Sequence, residues 1–227
     1  MTNVAKHIIE HYSRLENNWK LPKGIELIYP FDSEAVNDLL NKFYNKFYTD
    51  HKSRIFLFGI NPGRLGAGMT GVPFTDPVYL EQACGIPNEV KKKHELSSIF
   101  IYRMIEEYGG AKLFYSQFYV TSLCPLGFTK EGRNYNYYDS KELLAKVEKK
   151  MIESIEFQIS KFCERRVAFS LGQGKNFKVF KELNNKYSWF DELVPLPHPR
   201  WVMQYKRKDL EKYLDEYMLK LSSAISR

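Results

Sequence analysis

Phe58-Gly-Ile-Asn-Pro-Gly-Arg-Leu-Gly-Ala-Gly-Met-Thr-Gly-Val-Pro-Phe74 is the stretch on which the fold turns. It starts inside a short, bulky apolar run, residues 55–58, of the kind that forms a buried strand. The run breaks at once into Gly59, Asn61, Pro62 and Gly63, followed by Gly66, Gly68, Gly71 and Pro73. A chain that spends so many residues on Gly and Pro after a strand requires unusual backbone angles there. Loops at the carboxyl ends of strands in α/β sheets are where ligands bind. Residues 61–74 are therefore expected to form the floor and one wall of a pocket.

The pattern on either side supports that placement. Val4, Ile8, Tyr12 and Leu15 recur at helical spacing, and Asp32-Ser33 caps a second helix carrying Val36, Leu39, Leu40, Phe43 and Phe47. Residues 54–60 read as the first strand. Ser97 is expected to cap a helix that ends at Gly109-Gly110, and residues 114–123 read as a second strand. Residues 128–138 read as a basic loop rich in Asn and Tyr. Ser140 caps a long helix with Leu144, Val147, Met151, Ile155, Ile159 and Phe162 along one face. Residues 166–171 and 193–196 read as the remaining strands, with a Gly172-Gln-Gly174 turn and a helix between them. A final helix carries Leu210, Tyr213, Leu214, Tyr217 and Leu221.

Strands separated by helices imply parallel pairing and a sheet covered on both faces. The expected fold class is α/β, a three-layer α/β/α sandwich around a mainly parallel four-stranded sheet. One domain over residues 1–227 is expected, with a helical part at 1–50, a motif-bearing core at 51–204 and a carboxyl-terminal helix at 205–227. The strand-end loops at Asn61, Ser122, Gly172 and His198 should then converge at one edge of the sheet.

Composition narrows the function. Hydrophobic residues make up 44% of the 227-residue chain, enough for a full core. The 16 Tyr, 16 Phe and 3 Trp are expected mainly in that core, with a few reserved for stacking on bases. A net charge of +7 favours a polyanionic partner. Cys84, Cys124 and Cys163 have no C-x-x-C spacing, which points to free thiols in a reducing, cytoplasmic setting. The amino-terminal residues lack an apolar signal-peptide core, and no run is long enough to span a membrane. A soluble, monomeric protein that does not engage a membrane is expected.

Taken singly, each candidate residue has a plain reading. Asn61 before Pro62 suits an Asx-type turn. Gly172-x-Gly174 lacks the third glycine of a dinucleotide loop and the Lys-Ser/Thr of a P-loop, so a plain strand-to-helix turn is expected. His198 is more telling, because prolines on both sides fix its direction. The other histidines, His7, His11, His51 and His94, have no matching partners for a metal site.

Taken together the motifs are specific. Gly59-x-Asn61-Pro-Gly63, Thr70-Gly-Val-Pro-Phe74, Leu123-Cys-Pro-Leu126, Gly132-Arg-Asn134 and His198-Pro199 occur in the order and approximate spacing of one family. The chain resembles the single-strand-selective monofunctional uracil-DNA glycosylases, within the uracil-DNA glycosylase superfamily, over residues 54–200. The resemblance implies a monofunctional DNA glycosylase of base excision repair that hydrolyses the N-glycosidic bond of uracil. By the same resemblance Asn61 positions water and His198 hydrogen-bonds the base O2. Ile60, Gly63, Phe74 and Ser122 bind the base, with Phe74 stacking on it. Gly63 stands where uracil-restricted relatives carry a bulky residue, so C5-substituted uracils are expected to fit. Arg64, Arg133, Arg200, Trp201, Tyr205, Lys206 and Arg207 are expected at the DNA, as is Lys208. No metal or organic cofactor is expected. An iron–sulphur cluster of the kind some superfamily members carry needs four cysteines, and three are present.

Two departures mark a subfamily apart from the typical enzymes. Ser122 stands where the family pattern has Asn, and a hydroxyl offers one donor where an amide offers two. The family's His-Pro-Ser-Pro-Arg is shortened here to His198-Pro-Arg-Trp201, which leaves Arg200, Trp201 or Tyr205 to fill the gap left by a flipped base. Alternatives stay open at this stage. They are a glycosylase of broader specificity that also takes xanthine or hypoxanthine, and an inactive DNA-binding protein on the same fold. A small-molecule nucleotide enzyme using the Gly172 turn comes last.

Overall fold

The computed structural model describes residues 2–226. Helix α1 (Val4–Ser13) begins at Asn3, whose side chain accepts from Lys6 N, and strand β1 (Ile25–Ile28) follows. Helix α2 (Glu34–Phe47) is capped by Ser33 and buries Val36, Leu39, Leu40, Phe43 and Tyr44. Strand β2 (Arg54–Gly59) is buried at every position, as a strand covered on both faces must be. Short helices α3 (Ala67–Thr70) and α4 (Pro77–Gln82) carry the Gly-rich stretch away from it. Helices α5 (Leu96–Glu107) and α6 (Ala111–Gln117) lead into strand β3 (Phe118–Ser122). Strands β4 (Gly127–Lys130) and β5 (Arg133–Tyr135) form a hairpin. Helix α7 (Lys141–Phe162), strand β6 (Cys163–Leu171), helix α8 (Lys175–Tyr187) and strand β7 (Glu192–Leu196) come next. Helices α9 (Pro199–Tyr205) and α10 (Leu210–Ile225) close the chain.

The central sheet has the order β3-β2-β6-β7, and every pairing in it is parallel. Gly59 pairs with Ser122, Phe58 with Ser170, and Leu171 with Leu196, so all four strands stop at one level. Four loops therefore leave the sheet side by side, as expected. Phe56 packs on Phe162 of α7 and Phe58 on Phe180 of α8, which covers one face with helices. Half of the 16 tyrosines lie in the core: Tyr12, Tyr44, Tyr48, Tyr102, Tyr115, Tyr119, Tyr137 and Tyr217 are all buried. No helix among the described residues is long and apolar enough to cross a membrane.

The local reading differs from the structure in several places; residues 199–205 are helical, and β6 starts at Cys163 rather than 166. Residues 111–117 are helical, so the second strand starts at Phe118 rather than 114. Gly109 and Gly110 both take positive φ, which ends α5 sharply and lets a new helix start at once. Phe114 and Phe118 then stack one turn apart, an apolar spacing that fits helix and strand alike. Residues 128–138 are largely a hairpin, not a loop. Glu131 and Gly132 turn the chain with positive φ, and β1 pairs antiparallel with β4 to make a second small sheet. Finally, α5 begins at Leu96, so Ser97 lies inside its first turn and Glu95 takes the cap position.

Arg54 locks the amino-terminal part to the core. Its side chain is fully buried. Nε donates to Tyr115 O at 2.8 Å, Nη1 to Lys52 O at 2.5 Å, and Nη2 reaches Asp50 Oδ2 at 2.8 Å. A buried guanidinium is tolerable only when its donors are matched in this way. Arg54→Ala removes that match, takes the donor from the buried Tyr115 carbonyl and opens a cavity. Urea denaturation should show a loss of roughly 3–5 kcal/mol. A loss below about 1 kcal/mol would mean that Arg54 is not a structural lock.

Candidate active site

The floor of the site is built from the ends of β2 and β3. Gly59 is the last residue of β2, and a Cβ there would sit 2.6 Å from Phe74 Cε2 and 3.3 Å from Ser122 Oγ. Only glycine lets the Phe74 ring lie against the strand end. Phe74 itself has φ of 54°, a left-handed conformation that costs a non-glycine residue about 1–3 kcal/mol. Buried hydroxyls hold it there. Thr70 Oγ1 donates to Thr75 O at 2.7 Å, and Thr75 Oγ1 bonds the Tyr102 hydroxyl at 2.8 Å. Tyr102 in turn bonds Cys84 and Tyr115. The Phe74 and His198 rings lie near each other, centroids 6.3 Å apart and tilted by 47°.

Asn61 stands two residues beyond the strand, and its amide is fixed at both ends by the β5 segment. Tyr137 N–H donates to Asn61 Oδ1 at 3.2 Å, while Asn61 Nδ2 donates to Tyr135 O at 3.3 Å. The two contacts define which end is oxygen, and Oδ1 keeps one lone pair for a further donor. Tyr137 is held in turn, since its buried hydroxyl donates to Asn176 Oδ1 at 2.8 Å. Asn176 lies in the first turn of α8, just past the Gly172-x-Gly174 turn, and its Nδ2 reaches back to Gly59 O at 3.5 Å. That turn therefore serves to seat Asn176.

His198 is the N-cap of α9, and its Nδ1 accepts from Arg200 N–H at 3.1 Å. An Nδ1 that accepts carries no proton, so the neutral ring carries its N–H at Nε2. Burial first, and the Arg200 guanidinium second, lower its pKa to about 4. A neutral imidazole with its donor fixed at Nε2 thus lines the same cavity as Phe74.

One cavity of about 540 Å³ gathers most of the expected residues. It is lined by Ile60, Asn61, Gly63, Phe74, Ser122 and His198, with Arg64, Arg133, Arg200, Trp201 and Tyr205 toward its mouth. Lys206 and Arg207, expected at the DNA, lie outside this lining, and Lys206 Nζ sits 6.0 Å from the Trp201 ring. Trp201 and Tyr205 are 42% and 65% exposed on α9. Trp201 packs edge-on against Tyr213 of α10, with ring centroids 5.9 Å apart. Ser122 is 6% exposed, and its hydroxyl has no hydrogen bond to protein among the described residues. A second cavity of about 370 Å³ adjoins the first across Ile60, His198 and Trp201.

Asn134 and Glu95 are among the wall residues not anticipated as part of the site. Asn134 Oδ1 accepts from Arg64 N at 3.2 Å, which ties the hairpin to the Gly-rich loop, and its Nδ2 lies beside Gly63. Glu95 reaches into the same wall from the cap of α5. Its sequence signal was a carboxylate next to the capping position, indistinguishable there from an ordinary helix start. Burial raises the Glu95 pKa, Arg200 opposes the rise and Asp76 adds to it. Among the described residues no group of three His, Cys, Asp or Glu is placed to hold a metal ion. The cavity offers an apolar ring, a donor with a fixed tautomer, a fixed amide and, among its exposed lining, guanidiniums. It suits a flat heterocycle attached to an anionic chain.

Comparison with known proteins agrees with this geometry. A family model described as the Uracil DNA glycosylase superfamily matches residues 46–222. The crystal structure of wild-type Pedobacter heparinus SMUG2 is 42% identical, covers 100% of both chains and superposes with a TM-score of 0.97. No curated protein matches the chain.

The state of His198 yields a pH prediction. Its pKa is depressed from 6.5 to about 4, so protonation favours the unfolded chain. Its contribution to stability is full above about pH 6.5 and is lost as pH falls through about 4. Buried His11, lowered to about 3, acts in the same direction. Ring nitrogen shifts from NMR should show the Nε2–H tautomer at pH 7, and melting temperature should fall steadily below pH 6. A His198 titration near 6.5 with no loss of stability would contradict this.

Proposed function

The chain belongs to the uracil DNA glycosylase superfamily, and on that footing we propose that it hydrolyses the N-glycosidic bond of uracil in DNA, including uracils substituted at C5. The observation that carries this reading is the meeting of Asn61, Phe74 and His198 around one cavity with an arginine-lined mouth. A base inside a duplex is out of reach of such a cavity, so the nucleotide must be swung out or already single-stranded. The Phe74 ring stacks on it. The His198 Nε2–H donates to O2, where negative charge collects as the C1′–N bond breaks. Its neutrality matters, because a neutral donor strengthens its bond as charge develops and gives up no proton beforehand.

Asn61 has no basicity to remove a proton from water. Its work is to hold the water at the free lone pair of Oδ1, while the departure of the base carries most of the barrier. The bond electrons leave with the base, the water oxygen forms the new C1′–O bond, and the released proton neutralises the base. Arg64, Arg133 and Arg200 take the flanking phosphates, and Trp201 or Tyr205 fills the vacated stack. Lys206 and Arg207 contact DNA beyond the cavity. The protein acts as a cytoplasmic monomer without a cofactor.

A broader base range is a second reading, favoured by one observation. Ser122 presents an unpartnered hydroxyl, which gives or takes a single bond and leaves more room than an amide. Xanthine and hypoxanthine then become candidates beside uracil.

Oligonucleotides that each carry one altered base, scored for abasic sites, separate these readings. Uracil and 5-hydroxymethyluracil should be released, and His198→Ala should slow release by about 10²–10³-fold. Release that is insensitive to His198→Ala would contradict the assigned role. Ser122→Asn should narrow the range toward uracil, and an unchanged profile would remove Ser122 from base discrimination.

A further inference from the structure

Glu95 is the one acidic residue among those that line the cavity, and the mechanism above does not use it. Its carboxylate has no hydrogen-bond donor and no cation at ion-pair distance among the described residues, although it is half-buried. A carboxylate kept partly out of water without a partner is costly, so its retention calls for a partner that arrives. Its position is also built. Glu95 N donates to Oδ2 of fully buried Asp76 at 2.9 Å. The other oxygen of Asp76 accepts from Val78 N and Tyr79 N, which ties Glu95 to the loop that carries Phe74. The carboxylate itself packs on glycine. A Cβ at Gly66 would overlap Oε2, and one at Gly63 would lie 3.3 Å from Oε1.

These contacts place it in the reaction cavity. Gly59, against which the Phe74 ring rests, is followed by Asn61, Gly63 and Gly66, and Glu95 lies against the last two. Asn61, Phe74 and Glu95 line one cavity. A base seated on Phe74 brings its sugar into that cavity. The sugar becomes cationic there as the base leaves, in a cavity whose mouth already holds Arg64, Arg133 and Arg200. Three guanidiniums suit phosphates and disfavour a sugar cation. An anion beside the sugar offsets them.

We infer that Glu95 is a further catalytic residue, whose carboxylate stabilises the oxocarbenium character of the sugar while Asn61 holds the water. The inference rests on the glycosylase reading. In this step Glu95 remains ionised and forms no bond: the C1′–N pair leaves with the base, water supplies the C1′–O bond, and its proton neutralises the base. The same charge repels DNA phosphates, so Glu95 should weaken ground-state binding while speeding bond cleavage.

Glu95→Gln tests this, since it keeps the shape that packs on Gly66. Single-turnover release should slow by about 10–100-fold, and equally for uracil and 5-hydroxymethyluracil. Binding to an oligonucleotide with a neutral tetrahydrofuran abasic site should be unchanged or tighter, which also reports a folded site. The unaltered protein should prefer a cationic pyrrolidine analogue of the abasic sugar over tetrahydrofuran by about tenfold or more, and Glu95→Gln should abolish that preference. An unchanged preference, or slowing confined to one base, overturns the role of Glu95. Absence of any base release by the unaltered protein instead overturns the glycosylase reading itself.

Discussion

The amide of Asn61 is held between the Tyr137 N–H and the Tyr135 carbonyl, 3.2 and 3.3 Å away, and much of the structure serves to keep it there. A free Asn side chain flips readily and presents oxygen or nitrogen with little preference. Two opposed backbone groups remove that freedom and leave one lone pair of Oδ1 without a protein donor. The end of β5 and the turn that follows it supply the two groups, β1 supports the hairpin, and Tyr137 is anchored through Asn176 to the end of β2. The small second sheet thus acts as a clamp on the active edge of the large one.

Opposite the clamp, the protein accepts local strain for geometry. Phe74 sits at positive φ so that its ring can lie on Gly59, and a network of Thr70, Thr75, Tyr102, Cys84 and Tyr115 holds the loop from beneath. Buried phenols make this possible, because each brings large apolar area and one hydroxyl to satisfy a loop. The high tyrosine content is in this sense a property of the scaffold. The thiols are part of it too: burial raises Cys84 to about 12 and pushes Cys124 and Cys163 upward as well, so none is a reactive nucleophile.

What could be read without coordinates followed from periodicity and from strand ends. Buried β2, the long α7 with its Ser140 cap, and the alternation of strands and helices gave the parallel sheet. The four loops at its edge followed from that. Residues 114–117 could not be assigned, because their apolar spacing suits helix and strand equally, and glycines at 109 and 110 decide it. The hairpin was hidden because Arg133, Asn134 and Tyr135 form a short, exposed strand without alternation. With it was hidden the grip on Asn61, which depends on backbone groups that carry no side-chain signature. Glu95 was missed for a related reason. Its environment is made by Gly63 and Gly66, some thirty residues earlier, which leave room that only the folded chain reveals.

The most direct measurement of the central claim is single-turnover release of uracil from a single-stranded oligonucleotide by Asn61→Ala. Removing the amide leaves the stacking ring, the His198 donor and the arginine mouth in place. Cleavage should therefore fall by about 10²-fold or more while affinity for the oligonucleotide stays within about threefold. Cleavage at the unaltered rate would mean that the clamped amide places no water, and would contradict the account.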